Sequence, residues 1–268
     1  DGAMKSDFLS KILEKKREEV AAAQKRVPEK RLRQEAEKPR ASRQFFRRLA
    51  VPGPHGANII AEIKRGSPSR GLIRKDLDAA EYAAHYEKGG AAAISVLTDE
   101  TFFFGGPQDL MTVRQAVQLP VLRKDFILSS YQIYEAAAWG ADAILLIVRA
   151  LDGEFLQDSL QLCAELQLDA LVEVHSEQEL GQATASGARL IGINNRDLTT
   201  FNTDIETSKR VVRCLAEGQV AVAESGIHGR RQIEELLEAG IWNFLIGESL
   251  VRADSPKDLL LQFLGRQP

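Results

Sequence analysis

Two lysines and three glutamates occupy the ends of short apolar segments in this sequence. Glu62 and Lys64 end the first of these segments, and Lys124, Glu173 and Glu224 each end another. Because alternate residues of a strand point to the same side, Glu62 and Lys64 face together. Charges within apolar strands are costly unless they face a polar cavity or one another, so a structural ion pair is one interpretation. Five such residues meeting at one rim favour the other interpretation, an acid–base site.

Small residues follow the last two segments. Ser225 and Gly226 come after the seventh, and Gly247 and Glu248 come after the eighth. At such turns the backbone N–H groups can approach an anion closely. Together with Ser67, which follows the first segment, they predict a phosphate site. The alternative is a pair of ordinary tight turns.

Further polar and aromatic residues stand near the same segment ends. Asn194 ends the sixth segment and Arg196 follows it, while Phe102–Phe104 lie in the loop after the second. The three phenylalanines either wall a pocket for an aromatic ring or simply pack their own loop. The residues alone leave both interpretations open.

The alternation of segments predicts the scaffold that brings these residues together. Eight β-rich apolar runs, whose starts are spaced by roughly 20 to 35 residues, alternate with amphipathic runs such as Asp204–Glu217. The predicted strands are Asn58–Lys64, Ala92–Leu97, Val121–Lys124, Ala143–Val148, Ala170–Val174, Leu190–Asn194, Val220–Glu224 and Asn243–Ile246. Eight such units predict an α/β fold, a closed (β/α)8 TIM barrel with its active site at the carboxyl ends of the strands. A doubly wound sheet is disfavoured, because the loop after the first strand lacks a GxGxxG fingerprint.

The first 50 residues lie outside this alternation. Their apolar positions recur at helical spacing, at Phe8, Leu9, Ile12, Leu13 and Val20. This pattern predicts an N-terminal helical extension over residues 1–50. Residues 1–3 precede Met4 and look like a cloning remnant. Because no linker to a second domain is visible, we expect residues 1–268 to form a single domain.

Composition and charge narrow the classes of function. The net charge of -3 and the pI of about 5.9 disfavour nucleic acid as a partner. No apolar run approaches the ~20 residues of a membrane helix, and no secretory signal is visible. The four histidines lack metal-ligand spacing, and Cys163 and Cys214 are expected to be buried thiols on helices. We therefore expect a cytoplasmic protein without a metal, whose protein partners are open and which can be a monomer.

Several strings around these residues are similar to those of indole-3-glycerol phosphate synthases. They are Glu62–Ser69 at the first strand, Leu122–Phe126 at the third, Leu171–His175 at the fifth, Gly192–Leu198 at the sixth and Ala223–Ile227 at the seventh. The match runs in order from about Ser6 to about Ser255. The strings at the first, third and sixth strands are together highly specific for this family.

The resemblance implies a barrel lyase of tryptophan biosynthesis. Its substrate would be 1-(2-carboxyphenylamino)-1-deoxyribulose 5-phosphate, converted to indole-3-glycerol phosphate with loss of CO2 and water and without a redox or metal cofactor. By the same resemblance, Lys124 is the general acid for ring closure and Glu173 the base that restores aromaticity. We expect a crowded cationic site to lower the pKa of Lys124, which would make it a better acid near neutrality.

Other residues receive supporting roles from the resemblance. Lys64 would hold the substrate carboxylate and assist dehydration, oriented by Glu62, although either lysine can be assigned to either proton transfer. Asn194 and Glu224 would order the sugar hydroxyls and the lysines, with Arg196 behind them. The residues expected around the phosphate and the rest of the substrate are Ser67, Pro68, Ser225, Gly226, Gly247 and Glu248. The anthranilate ring would lie between Phe126 and one of Phe102–Phe104, and the N-terminal extension would pack over the top of the barrel and help form the site.

Two other functions remain possible interpretations of the sequence. Another phosphosugar barrel enzyme, such as phosphoribosylanthranilate isomerase, would need a Cys/Asp acid–base pair at strand ends, but the cysteines here lie in predicted helices. A barrel that binds a phosphorylated metabolite without turnover would have no use for the acid–base set of Lys124 and Glu173.

Overall fold

Eight parallel strands close into a barrel in the computed structural model, which describes residues 7–198 and 200–267. These strands are β1 (Asn58–Ile63), β2 (Ala93–Leu97), β3 (Val121–Lys124), β4 (Ala143–Ile147), β5 (Asp169–Val174), β6 (Leu190–Asn194), β7 (Val220–Glu224) and β8 (Asn243–Ile246). Each strand pairs with its neighbours in chain order, and β8 pairs with β1. The predicted (β/α)8 barrel is confirmed, and every strand bound lies within one residue of its prediction. Residues 1–3, interpreted as a cloning remnant, lie outside the described residues.

Helices surround the barrel and form the extension. They are α1 (Asp7–Arg26), α2 (Glu29–Ala36), α3 (Phe45–Leu49), α4 (Ala79–Lys88), α5 (Pro107–Ala116), α6 (Ser130–Ala138), α7 (Gly153–Glu165), α8 (Glu177–Ala185), α9 (Glu206–Val211), α10 (Arg230–Glu238), α11 (Glu248–Arg252) and α12 (Pro256–Phe263). Asp or Ser side chains cap the first turns of several, at Asp78, Ser129, Asp152, Ser176 and Ser255. None of the described helices combines the length and the hydropathy needed to cross a membrane.

The helix after β6 is shorter than predicted. It covers Glu206–Val211 and gives way to a 3-10 turn over Val212–Cys214, whereas the sequence predicted Asp204–Glu217. Two consecutive β-branched valines, Val211 and Val212, stand where the α-helix ends, and such residues have a reduced helix propensity.

The side chains inside the barrel form two layers along its axis. Near the amino ends of the strands the layer is apolar and includes Ile60, Leu122, Leu145, Leu171 and Val222. One pleat further along the same strands, the side chains facing inward are polar and include Glu62, Lys124, Glu173 and Glu224. Because side chains alternate along a strand, β1, β3, β5 and β7 each change from an apolar to a charged inward side chain where the barrel opens, whereas β4 continues with the apolar Ile147. This change places the charged set at the carboxyl ends.

The beginning of the extension covers the carboxyl end of the barrel. Phe8, Leu9 and Ile12 of α1 line the pocket at that end. Further along the chain, the hydroxyl of Tyr131 in α6 donates a hydrogen bond to the backbone oxygen of Val27 at 2.8 Å. The helical extension predicted from the spacing of apolar residues is therefore present, and it contacts helix α6 on the outside of the barrel.

The end of the extension closes the opposite mouth. Phe45 and Leu49 of α3 are fully buried and belong to the apolar cluster inside the barrel. Ahead of them, the guanidinium of Arg43 donates hydrogen bonds to the carbonyl oxygens of Val117 and Leu119 at 2.7 and 2.9 Å. α3 therefore covers the amino end of the barrel, and the pocket lined by the charged side chains lies at the carboxyl end.

Two asparagines join the first and last strands. Asn58 donates a hydrogen bond from Nδ2 to Oδ1 of Asn243 at 2.9 Å. Asn243 is fully buried and donates in turn to the carbonyl oxygens of Leu49 and Ala221, both at 3.0 Å. Since buried polar groups need partners, this network favours the closed ring with α3 docked beneath it.

Candidate active site

One pocket at the carboxyl ends contains every residue that the sequence assigned to the site. The assigned residues that line it are Glu62, Lys64, Ser67, Pro68, Lys124, Phe126, Glu173, Asn194, Arg196, Glu224, Ser225, Gly226, Gly247 and Glu248. They come from six of the eight strands or from the turns that follow them. Lys64, Lys124 and Glu173 thus face a common cavity, although they lie far apart in the chain.

Glu62 joins the two lysines. Its Oε2 accepts hydrogen bonds from Lys124 Nζ at 3.0 Å and from Ser95 Oγ at 2.8 Å, and its Oε1 lies 3.7 Å from Lys64 Nζ. Burial on its own raises the pKa of Glu62, but the two lysines and the hydrogen bonds lower it below its usual value. The carboxylate therefore stays charged between the two cations. Ser95 was missed in the sequence, because a single serine within a strand carries no specific signal.

The two lysines differ in the charges that surround them. Burial lowers the pKa of Lys124, but the carboxylates of Glu62, Glu224 and Glu173 outweigh burial and raise this pKa above its usual value. The expectation of a lowered pKa for Lys124 is therefore wrong, because this lysine faces three carboxyl groups rather than other cations. Burial lowers the pKa of Lys64, and the attraction of Glu62 does not offset it. Lys64 is the lysine that gives up its proton more readily.

Glu173 accepts a hydrogen bond from one neighbour on the barrel rim and lies near a second. Asn194 donates from Nδ2 to Glu173 Oε1 at 3.1 Å, and His175 Nε2 lies 3.4 Å from the same oxygen. The other ring nitrogen of His175 lies 3.2 Å from Glu179 Oε2, which fixes the orientation of the imidazole. No role was predicted for His175, although it stands two residues after Glu173 and so points to the same side of β5.

Glu224 lies beside Glu173 in the pocket. Burial, followed by the charge and hydrogen bonding of Glu173, raises the pKa of Glu224 well above its usual value. Gly192 in β6 leaves the space for this carboxyl group, because a Cβ atom at that position would overlap Glu224 Oε1. The two carboxyl groups therefore lie together next to Lys124, and Glu224 holds its proton more tightly than an ordinary glutamate does.

The turns after β7 and β8 form the other end of the pocket. Ser225 and Gly226 both adopt left-handed backbone conformations, with φ of 66° and 76°. Serine rarely adopts this conformation, so the surrounding structure must impose it. In the second turn, a Cβ atom at Gly247 would lie 3.0 Å from Glu62 Oε1 and 3.2 Å from Lys64 Cε. Glycine at this position lets the backbone pack directly against the acid–base set.

Two arginines bring positive charge to this end of the pocket. Arg196 donates from Nη1 to the carbonyl oxygen of Phe201 at 2.9 Å. Arg70 lies 3.3 Å from Glu248 across the mouth. The short antiparallel hairpin after β1 pairs Gly66–Ser67 with Gly71–Leu72 and so places Ser67 on the same side.

The aromatic wall consists of one loop phenylalanine and Phe126. Phe103 lines the pocket with its ring centre 6.1 Å from that of Phe126 and tilted by 41°. Phe102 packs instead against Phe8, and Phe104 is 43% exposed. A third ring stacked between two others needs about 7 Å between them, since carbon atoms in contact are about 3.5 Å apart. The two rings are slightly closer together than such stacking requires, and the placement of the substrate ring between them stays a prediction.

Neither cysteine lies in the pocket. Cys163 is buried in α7, whereas Cys214 is exposed in the 3-10 turn after α9, so the expectation of two buried thiols is wrong for Cys214. The isomerase alternative loses its support, because its cysteine acid–base partner would have to lie at a strand end. Among the described residues, no group of three or more His, Cys, Asp or Glu side chains is placed to hold a metal ion.

Comparison with known sequences gives one family over nearly the whole chain. A family model described as indole-3-glycerol phosphate synthase matches residues 9–262. A curated relative of that name from Syntrophobacter fumaroxidans (strain DSM 10017 / MPOB) is 57% identical over 260 residues, which cover 97% of this chain and 98% of the relative. Another, from Desulfosudis oleivorans (strain DSM 6200 / JCM 39069 / Hxd3), is 55% identical over 260 residues, which cover 97% and 99%.

Solved structures of low sequence identity share the fold. Thiamine phosphate pyrophosphorylase from Pyrococcus furiosus matches with a TM-score of 0.60 at 16% identity, over 81% of this chain and 95% of that chain. N-acetylmannosamine-6-phosphate 2-epimerase from Clostridium perfringens matches with a TM-score of 0.60 at 13% identity, over 85% and 99%. At these identities the likeness supports the barrel fold alone. The family match and the curated relatives go further, and they show that this chain belongs to the indole-3-glycerol phosphate synthase family.

Proposed function

We propose that this barrel converts 1-(2-carboxyphenylamino)-1-deoxyribulose 5-phosphate to indole-3-glycerol phosphate, CO2 and water. The observation that carries the proposal is the convergence of Lys64, Lys124 and Glu173 on one pocket, with Glu62 between the lysines. The family supplies the overall reaction. The contacts and charges of the pocket support a role for each residue, beginning with the binding of substrate.

The substrate binds with its phosphate at the turns after β7 and β8. There the backbone at Gly226 and Gly247 comes close to the cavity, and Arg196 adds positive charge. Ser67, Pro68, Ser225 and Glu248 complete this end of the pocket as substrate contacts. At the other end, the aromatic ring lies against the wall of Phe103 and Phe126. The ammonium of Lys64 pairs with the carboxylate of the anthranilate group.

Lys124 acts in ring closure. The ring carbon that carries the carboxylate attacks the ketone carbon of the sugar, and the C=O π electrons move to the oxygen. Lys124 stabilises the negative charge on that oxygen and transfers a proton to it, which leaves a hydroxyl group. Because the surrounding carboxyl groups raise the pKa of Lys124, the lysine is charged at neutral pH before the reaction begins.

Decarboxylation and dehydration follow at the same ring. The bond to the carboxylate breaks, CO2 leaves, and its electron pair restores the benzene ring. The apolar wall of Phe103 and Phe126 favours loss of this charged group. Lys64, whose pKa is lowered, then gives a proton to the departing hydroxyl, which leaves as water. Glu173 accepts a proton from the neighbouring methylene carbon, and the indole ring forms.

Asn194 and Glu224 prepare Glu173 for its role as a base. Asn194 orients the carboxylate through its hydrogen bond, and Glu224, whose raised pKa favours its neutral form, lies beside it. Both residues are also within reach of the sugar hydroxyls in the same cavity. Their contribution is to hold one carboxylate ready, without a step of their own.

The experiment that tests this proposal follows indole fluorescence after mixing the protein with the carboxyphenylamino substrate. We expect turnover by the parent protein and a loss on the order of 10²–10⁴-fold in kcat for Lys124→Met, with substrate still bound. Lys38→Met is the matched control, because Lys38 is exposed and pairs with Glu35 on the outside. Absence of turnover in the parent protein would reject the proposal, and binding without turnover would support the non-catalytic barrel.

A further inference from the structure

A lysine outside the acid–base set is buried between the extension and the barrel. Lys16 of α1 is 4% exposed, and its Nζ lies 2.7 Å from Asp99 Oδ2 and 3.1 Å from Asp125 Oδ1. A third carboxylate, Glu19 on the same helix, lies at 2.6 Å. Asp99 follows β2 and Asp125 follows β3. One ammonium group therefore joins α1 to the ends of two neighbouring strands.

Asp99 holds the loop that carries Phe103. Its Oδ1 accepts hydrogen bonds from the backbone N–H groups of Phe102 at 2.7 Å and Phe103 at 3.2 Å. Asp99 is fully buried, so its carboxylate depends on these donors and on Lys16. The position of the Phe103 ring in the pocket is set through this carboxylate.

Asp125 holds the second aromatic residue of the wall. Its Oδ1 accepts a hydrogen bond from the N–H of Phe126 at 2.7 Å, and its Oδ2 accepts bonds from Thr98 at 2.6 Å and Arg123 at 3.1 Å. Asp125 also comes directly after Lys124 in the chain. The lysine of α1 thus pairs with the carboxylate that fixes the chain between Lys124 and Phe126.

Helix α1 also contributes apolar side chains to the lining of the pocket. Phe8, Leu9 and Ile12 line the pocket, and Ile12 precedes Lys16 by four residues. Residues four apart lie on one face of a helix. The face of α1 that Lys16 fixes to the barrel is therefore the face that covers the substrate cavity.

We propose that Lys16 is a positioning residue of the reaction, which sets Phe103, Phe126 and the pocket face of α1 relative to Lys124. This inference rests on the proposed function, because the aromatic wall is assigned there to the substrate ring. A lysine that served stability alone would leave the ring end of the pocket unchanged once the protein was folded. A positioning lysine affects that end and leaves the phosphate end, built by β7 and β8, intact.

The test compares Lys16→Met with Lys15→Met in the full chain. Lys15 is the adjacent residue on α1, its side chain is 47% exposed, and it pairs with Glu18 at 3.1 Å. For Lys16→Met we expect KM to rise by roughly tenfold or more and kcat to fall several-fold, since small misplacements in a site are costly. For Lys15→Met we expect both constants to equal those of the parent.

Two binding measurements separate positioning from stability. The first uses the substrate with its ketone reduced to an alcohol, which cannot close its ring, and the second uses inorganic phosphate. We expect Lys16→Met to bind the reduced substrate more weakly and to bind phosphate as the parent does. Equal loss for both ligands, or kinetic constants equal to those of Lys15→Met in the folded protein, would overturn the proposal.

A second variant keeps the test decisive if Lys16→Met does not fold. Asp99→Asn retains the oxygen that accepts the N–H groups of Phe102 and Phe103 but removes the charge that pairs with Lys16. We expect the same pattern with a smaller rise in KM, and unchanged constants would count against the proposal. A parent protein that binds the reduced substrate without turnover would reject the proposed function, while the binding comparison would still decide the role of Lys16.

Discussion

Lys124 Nζ and Glu62 Oε2 lie 3.0 Å apart across the barrel mouth, although the two residues are 62 positions apart in the chain. The same carboxylate lies 3.7 Å from Lys64, so one glutamate serves two lysines. The pKa of Lys124 is raised and that of Lys64 is lowered. One anion thus lies beside a lysine that keeps its proton and a lysine that gives it up more readily, which fits the different steps proposed for them.

Replacing Lys64 by arginine should change the response of the enzyme to alkaline pH. The pKa of Lys64 is lowered below 10.5, so its ammonium loses its charge, and its hold on the substrate carboxylate, as pH rises. Arginine stays charged over the same range. In the pH profile of kcat/KM, we expect the alkaline fall to move upward in Lys64→Arg. The maximum of kcat/KM in the variant should be lower on the order of 10²-fold, because arginine cannot supply the proton for dehydration. An alkaline fall at the same pH in both proteins would contradict this assignment.

Glu224→Gln should stabilise the fold and impair the reaction. The pKa of Glu224 in the folded state is raised above its ordinary value of 4.5, so above that pH the folded state binds more protons than the unfolded state. Stability contributed by this group is therefore present at low pH and is lost as pH rises from about 4.5 through the folded pKa. Glutamine is neutral at every pH, so the variant does not lose this contribution to stability as pH rises. We expect a higher Tm at pH 8, by about 2–4 °C per kcal/mol gained, and no gain at pH 4. Thermal unfolding of both proteins at the two pH values checks this, and an equal effect at both would refute it.

Adding one methyl group at Gly192 should displace the Glu173–Glu224 pair. A Cβ atom at this position would overlap Glu224 Oε1, so the carboxyl group must move away from Glu173. We expect Gly192→Ala to lower kcat on the order of 10²-fold. Gly181→Ala is the control, because Gly181 lies exposed in α8 with nothing near its added Cβ, and it should gain up to about 1 kcal/mol of stability. Similar activity of the two variants would show that the pair does not depend on this space.

Shortening the aromatic wall should weaken substrate binding more than it slows turnover. Phe126→Leu removes a ring that faces the cavity. A loss of about 1.4 kcal/mol of binding free energy corresponds to a tenfold higher KM. Phe104→Leu is the control, since Phe104 is 43% exposed and its ring does not line the pocket. Steady-state kinetics of the two variants provide the comparison. A larger effect of Phe104→Leu would place the substrate ring elsewhere.

The barrel and the main site residues could be predicted because both leave a local pattern in the sequence. Each strand is a short apolar run, and an inward charge such as Glu173 or Glu224 stands at its end. Once a parallel barrel is assumed, all such ends meet at one mouth, so the pocket follows without knowledge of the register.

The contacts around those residues could not be predicted in the same way. Lys16 meets Asp99 only because α1 crosses the barrel mouth at a particular angle, and one lysine among several on an amphipathic helix gives no hint of this. The direction of the pKa shift of Lys124 depends on three carboxyl groups at one level of the barrel, which strand register decides. The position of His175 beside Glu173 depends on the same three-dimensional details.

The hydrogen bond between Asn58 and Asn243 joins the two strands whose pairing closes the ring, and this pairing has a consequence for folding. These residues are separated by 185 positions, and β1 keeps an unpaired edge until the last strand has left the ribosome. Contacts over such sequence distances form slowly, and an open edge is prone to pair with other chains in the meantime. Phe45 and Leu49 precede every barrel strand in the chain, and the cluster that buries them is complete only when the ring is closed. Ring closure is therefore a late step of biosynthesis, and the nascent protein is most vulnerable to aggregation just before it.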